Sequence, residues 1–208
     1  LDVELLAQRR AQLRLVGTLG QLHRGELRQT VTALRDEAET PFLEGCLELG
    51  ITSFDHADVY VGYQAEALFG AALSEWRGDR GRIELVTKCG VGLVGPARPA
   101  HRVKHYDSSA AHIRASIEAS LRSLGTDHVD LLLLHRPDPL MDADATAEVL
   151  ARLLQEGKTR AVGVSNHTPA QFDLLQSRLP VPLVTNQIEL SLLHPEPLVD
   201  GMLDHIQR

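Results

Sequence analysis

The sequence predicts an α/β protein built on a parallel sheet, and three observations carry that prediction. Short apolar runs, such as IELVT at 83–87 and VDLLLL at 129–134, alternate with helix-length segments. Strands with so few polar positions are covered on both faces, as in repeated βαβ units. Asp55, Lys88, His135, Ser165-Asn166 and Gln187 follow these runs one after another, so polar side chains end strand after strand on one side of the sheet.

Taken in order, residues 13–16 form an apolar run ending at Gly17-Thr18, the expected first strand. Residues 25–50 have a helical pattern, with a break near Pro41 and a stop at Gly50. The second strand is expected at 51–54 and its helix at 64–76. A third strand at 83–87 runs into Lys88, and a loop rich in Gly, Pro and His follows over 89–107. The next helix spans 109–124, with Asp107 and Ser108 as caps and Gly125 as its stop. A fourth strand at 129–134 ends at His135, and a helix at 144–155 stops at Gly157. The fifth strand, 160–164, leads to Ser165-Asn166. Thr168 then caps a helix at 169–179 that carries Pro169 in its first turn. The sixth, 183–185, leads to Asn186-Gln187, and a final helix is expected at 196–206. With no linker-like shift in composition, 1–208 reads as one domain, either a doubly wound open sheet or a (β/α) barrel.

Composition narrows the function. The 208 residues are 43% hydrophobic and carry a net charge of −7 with no Lys/Arg run, which argues against nucleic acid or an anionic membrane surface as partner. Two cysteines and no signal-peptide or transmembrane stretch predict a reducing cytoplasm. Ten histidines are present, but His101 and His105 in HRVKH are the nearest to ligand spacing and lie in a Pro/Gly-flanked loop, so no metal site is expected.

Three motif matches fail on physical grounds. Gly90-Val91-Gly92-Leu93-Val94-Gly95 has the form G-x-G-x-x-G, but Pro96 and Pro99 prevent the helix whose N-terminus would face a pyrophosphate. Gly157-Lys158-Thr159 ends like a P-loop, but Arg152 stands where the first glycine is required. Asn166-His167-Thr168 is a glycosylation acceptor in form only, irrelevant without secretion.

The chemistry centres on 53–70, SFDHADVYVGYQAEALFG, which delivers Asp55 and Tyr60 between a strand and a helix. A carboxylate and a phenol at such a place are equally ordinary as turn residues; the other strand ends give them company. A phenol is a poor acid near neutrality unless a neighbouring cation favours its ionised form. Lys88 supplies that cation, Asp55 balances the lysine, and His135 is able to orient a carbonyl oxygen. Donors aimed at an oxygen that gains charge suit addition of hydride to a carbonyl.

The segments GITSFDHADVYVGYQAEALFG, IELVTKCG, LGTDHVDLLLLHRPDP, EGKTRAVGVSNHTPAQFDLL and TNQIELSLLH resemble the aldo-keto reductase family, in family order and over nearly the whole chain. The resemblance extends to a bacterial YdhF-like subgroup, of which HADxYxGYQ and HRPDPLMDAD are typical. It implies a (β/α)8 TIM barrel that binds NADP(H) and reduces a small-molecule aldehyde or ketone. Carried over by position, Asp55, Tyr60, Lys88 and His135 match the catalytic tetrad. Ser165, Asn166 and Gln187 match residues that grip the nicotinamide carboxamide, and Thr18 and Asp55 complete the cofactor set. Val61 departs from the pattern, standing where glycine is usual after the tyrosine. The other departure is length. A barrel of this kind takes about 250 residues, so the chain is expected to be C-terminally truncated to about six βα units, with open edges that favour a homo-oligomer. A second reading follows, in which the chain is a non-catalytic fragment or a binding scaffold derived from such a reductase.

Overall fold

The structure is a computed structural model that describes residues 39–207; the expected first strand at 13–16 and Thr18 lie outside them. Helix α1 (Glu39–Glu48) leads to strand β1 (Ser53–Asp55), then α2 (Ala65–Glu75) and β2 (Glu84–Cys89). A two-residue antiparallel pair, β3 (Val91–Gly92) with β4 (His105–Tyr106), interrupts the long segment expected as plain loop. Next come α3 (Ala110–Leu124), β5 (Leu131–Leu134), α4 (Ala143–Gln155), β6 (Val162–Ser165), α5 (Pro169–Gln176), β7 (Asn186–Gln187) and α6 (Met202–Ile206). Among the described residues, no helix is long and apolar enough to cross a membrane.

Strands β1, β2, β5, β6 and β7 form one sheet in that order, every neighbouring pair parallel. Laid flat, five strands would hold the first and last roughly 19 Å apart. Here the Gln187 side chain donates from Nε2 to Asp55 Oδ2 at 3.1 Å, joining the ends of β7 and β1. The sheet is therefore curled. Helices α1 to α5 pack neighbour against neighbour in chain order, as the outer layer of a barrel wall does. Of the two architectures left open by the periodicity, this is the barrel, present as a curled half-barrel.

The period of two along each strand sorts the residues. Phe54, Leu85, Cys89, Leu132, Leu134, Val162 and Val164 belong to the main core shared with the helices, together with Ile113, Ile117, Leu150 and Leu153. The alternate set, Asp55, Lys88, Leu133, Gly163, Ser165 and Gln187, points to the concave side. Gly163 is needed there, because a Cβ would lie 2.8 Å from both Leu133 Cδ2 and the Thr185 carbonyl oxygen. The last residues of this concave set are polar. That is what puts chemistry at the strand ends.

Local chemistry sets the helix boundaries, with some shifts from expectation. Ser109 caps α3, its hydroxyl accepting from His112 N at 3.3 Å, while the expected cap Asp107 instead accepts from Ser109 N at 2.9 Å. Ser108, the other expected cap, donates to Asp138 Oδ2 at 2.9 Å. Gly125 ends α3 in the left-handed conformation at φ 67. Thr168 and Gln171 form a reciprocal capping box on α5 with Pro169 in its first turn, but the helix stops at Gln176, short of residue 179. Pro41 lies within the first turn of α1, where its missing N–H costs nothing. The expected terminal helix is split into a 3-10 turn, Glu196–Leu198, and α6, because Gly201 takes φ 85 between them.

Candidate active site

The site is assembled at the C-terminal ends of the curled strands. The β1 ladder continues past its last residue: His56 N donates to Val86 O at 2.8 Å and Asp58 N to Lys88 O at 3.1 Å. That continuation holds the start of the β1–α2 loop against β2, and so sets Asp55 beside Lys88. The lysine is 1% exposed. Its ammonium donates to Asp55 Oδ1 at 2.6 Å, to the His56 carbonyl at 2.9 Å and to the Tyr60 hydroxyl at 3.4 Å. An ammonium has three donors. All three are directed, and one is directed at the phenol.

Tyr60 is 38% exposed, with its hydroxyl facing the buried ammonium. Its backbone begins a left-handed turn: Val61, Gly62 and Tyr63 have φ of 53, 63 and 72, and Gln64 N and Ala65 N both donate to Tyr60 O, at 3.1 and 3.3 Å. Val61 thus adopts the conformation that a β-branched residue ordinarily avoids.

His135 follows β5, its backbone N–H donating to Cys89 O at 2.8 Å. Its ring meets the Tyr60 ring edge to face, centroids 5.5 Å apart. Burial pushes the imidazole down to about 4, and the nearby Lys88 and Arg136 charges act in the same sense. It is neutral at pH 7.

The ends of β6 and β7 form a polar ledge on the other side. Ser165 Oγ donates to Gln187 O at 2.9 Å and Asn166 Nδ2 donates to Ser165 Oγ at 3.1 Å. Asn166, at φ 55, accepts from Glu189 N at 2.7 Å. Gln187 links this ledge to Asp55. Seven of the eight positions singled out from sequence therefore meet in one region, Asp55, Tyr60, Lys88 and His135 on one side and Ser165, Asn166 and Gln187 on the other, with only Tyr60 standing off a strand end; the eighth, Thr18, lies outside the described residues.

Other groups at the site left little sequence signal. The His56 carbonyl holds the lysine through a main-chain atom that any residue supplies. Arg136, beside His135, pairs with Glu189 at 3.5 Å across the ledge. Behind β2 lie two carboxyls, the half-buried Asp58, accepting from Ser116 Oγ at 2.6 Å, and the buried Glu66, accepting from Thr87 Oγ1 at 2.5 Å. Burial raises both, Asp58 to about 6, and burial likewise lifts the Cys89 thiol well above its ordinary range. His101 and His105 pack edge to face at 4.7 Å; among the described residues no group of three or more His, Cys, Asp or Glu has the geometry of a metal site.

A model of the aldo/keto reductase family matches residues 19–206. The chain belongs to that family. Among its curated aldo/keto reductase relatives are a 6-dehydroglucose reductase of Agrobacterium fabrum, 53% identical over 165 residues that cover 79% of this chain and 56% of the relative. The oxidoreductase YdhF of Escherichia coli is 54% identical over 167 residues, covering 80% and 55%. The chain spans about half the length of the curated relatives it matches. Among solved structures, the glycerol dehydrogenase AKR11B4 of Gluconobacter oxydans superposes with a TM-score of 0.72 at 33% identity, covering 84% of this chain and 51% of that one. The holo form of the aldo-keto reductase AKR11C1 of Bacillus halodurans gives 0.64 at 30% identity, covering 80% and 53%.

Proposed function

We infer that the chain carries the proton-donating half of an NADP(H)-dependent reductase that converts an aldehyde or ketone to an alcohol. The observation that carries this reading is the Lys88 ammonium, 3.4 Å from the Tyr60 hydroxyl and 2.6 Å from Asp55, in a place closed to water.

Tyr60 is the general acid. As its proton passes to the substrate oxygen, negative charge grows on the phenol oxygen, and the fixed ammonium stabilises it without reorganisation. Asp55 and the His56 carbonyl keep that ammonium in place. His135 does not compete for the role: an imidazole at about 4 has no second proton to give at pH 7, whereas its single N–H is free to orient the carbonyl oxygen.

The ledge fits a nicotinamide carboxamide, which offers both an acceptor and a donor. Ser165, Asn166 and Gln187 bring a hydroxyl and two primary amides to meet it, and Asp55 stands beside Gln187. When bound, the dinucleotide supplies the hydride. The names of the relatives, a 6-dehydroglucose reductase and a glycerol dehydrogenase, favour a small polyhydroxylated carbonyl compound as substrate.

A fluorescence titration of the chain with NADPH, followed by a carbonyl screen with wild type and Tyr60→Phe, tests the reading. Saturable binding by both proteins, with turnover falling by about 100-fold or more in Tyr60→Phe, is the expected result. Wild-type turnover in Tyr60→Phe overturns the assignment of the acid, and no NADPH binding by the folded chain overturns the reading as a whole.

A further inference from the structure

The turn that presents Tyr60 is held by something beyond its own hydrogen bonds. Three successive left-handed residues are costly unless they are glycine, and of Val61, Gly62 and Tyr63 only the middle one is. Val61 is exposed and gains little from packing. Tyr63 is different. Its ring rests on the small cluster of Ala57, Val59 and Val91. Its hydroxyl accepts from Leu93 N at 2.8 Å and faces Leu93 O at 3.4 Å. The Arg98 guanidinium lies over the ring, 4.5 Å from its centroid.

Leu93 and Arg98 belong to the segment that joins β3 to β4. His101 Nδ1 meets the same Leu93 carbonyl at 3.1 Å, so the segment folds back on the residue that Tyr63 holds. The segment leaves from β3, which starts at Val91, three residues after Lys88, so it rises from the end of β2 that carries the ammonium. The 93–104 segment therefore rises from the same end of the sheet as the site, and Tyr63, three residues from Tyr60, is its anchor.

We propose that Tyr63 is a positioning residue that pins the 93–104 segment to the left-handed turn carrying Tyr60, so that the wall met by the carbonyl substrate and the hydroxyl that protonates it are set by one contact. The proposal rests on the reading of Tyr60 as the acid. Substrate that presses on this wall is transmitted to the turn through the Tyr63 hydroxyl and the Arg98 stack. Cofactor held at Ser165, Asn166 and Gln187 is not touched by it.

Tyr63→Phe removes the hydroxyl and keeps the ring, and Arg98→Gln removes the stack and keeps the hydroxyl. Each is compared with wild type for carbonyl KM and kcat, for NADPH Kd, and for the rate of limited tryptic cleavage after Arg102. The loss of one partly buried hydrogen bond predicts about a fivefold rise in carbonyl KM, with kcat lowered, NADPH Kd unchanged and cleavage faster in Tyr63→Phe. Wild-type kinetics and cleavage in both variants overturn the proposal. A uniform loss that also weakens NADPH binding overturns it as well, since that marks a merely structural residue. If wild type binds NADPH but reduces no carbonyl, the functional reading fails, and the cleavage rates alone decide whether Tyr63 pins the segment.

Discussion

Gln187 and Asp55, 132 residues apart in the chain, meet at 3.1 Å and tie the last strand of the sheet to the first. The contact marks how far the sheet has curled, and it joins the ledge of amides to the carboxylate that holds Lys88. Gln187→Ala removes it while leaving every strand pairing intact. Because Asp55 is partly exposed, the expected cost is about 1 kcal/mol, read as a lowered urea midpoint. An unchanged midpoint would show that the curl is set wholly by the core.

Lys88 and Asp55 form a pair in which the cation is sealed and the anion is partly wet, at 2% and 32% side-chain exposure. Lys88→Met strands the carboxylate and the His56 carbonyl, whereas Asp55→Asn in the same chain removes the stranded charge. Breaking such a pair from one side costs about 3 kcal/mol when both partners are buried, and less here. The double variant is expected to be more stable than Lys88→Met alone. Urea unfolding of the four proteins of the cycle checks this, and additive losses would mean that the pair contributes nothing to stability.

Two half-buried histidines make stability depend on pH in one direction. His56, against Phe69 at 4.6 Å, and His135 are both held near 4 by burial, below the ordinary 6.5. Between those values the unfolded chain binds protons that the folded chain refuses, so stability falls as pH drops from 6.5 towards 4. For His56 the gap of 6.5 − 4 = 2.5 corresponds to about 3 kcal/mol at most. Asp58 opposes this. Its folded value of about 6 lies above the ordinary 3.8, so its contribution grows as pH falls through the same window. In urea midpoints measured from pH 7 to pH 4.5, His56→Gln should flatten the loss and Asp58→Asn should steepen it. Parallel curves for Asp58→Asn and wild type would exclude titration of Asp58 in this range.

Gly163 faces the concave side, where a methyl group would meet Leu133 and the Thr185 carbonyl at 2.8 Å. Gly163→Ala is expected to cost about 2 kcal/mol through overpacking. It should also disturb NADPH affinity, because Ser165 lies two residues along the same face. A neutral effect on the thermal midpoint would show that Leu133 and the Thr185 backbone both give way at no cost.

The sequence was most legible where one period governs. The near-continuous apolar run before His135 and the repeated polar endings located β2, β5 and β6, and with them Lys88, His135 and Ser165. Turn chemistry was harder to read. The short β3–β4 pair sits in a Gly- and Pro-rich segment with no two-residue period, and Asp107, Ser108 and Ser109 are all able to cap, so only the backbone geometry chooses Ser109. The bonds that hold the Lys88 ammonium were half visible. Asp55 is a side chain with a recognisable role, but the His56 carbonyl is a group that every residue carries. Tyr63 escaped notice because its work depends on a left-handed turn, and Val61 before it gives the opposite local preference. The family motif pointed to the place of Tyr60, and only the geometry explains how a turn with two non-glycine residues supports it.

The alternation of outward and concave residues also decides where this lineage can gain or lose amino acids. A one-residue insertion in β2 ahead of Lys88 would turn its ammonium outward towards α3, where Ile113 and Ile117 are fully buried, and would leave no cation facing Tyr60, Thr87 taking the place of the lysine. Such an indel erases fold and chemistry together. Between Val94 and Val103 the chain has no such phase to keep, and several of its residues are exposed. Length changes that survive are therefore channelled into the rim, where the contacts of Leu93 and Arg98 with Tyr63 decide how far each one is felt at the Tyr60 turn.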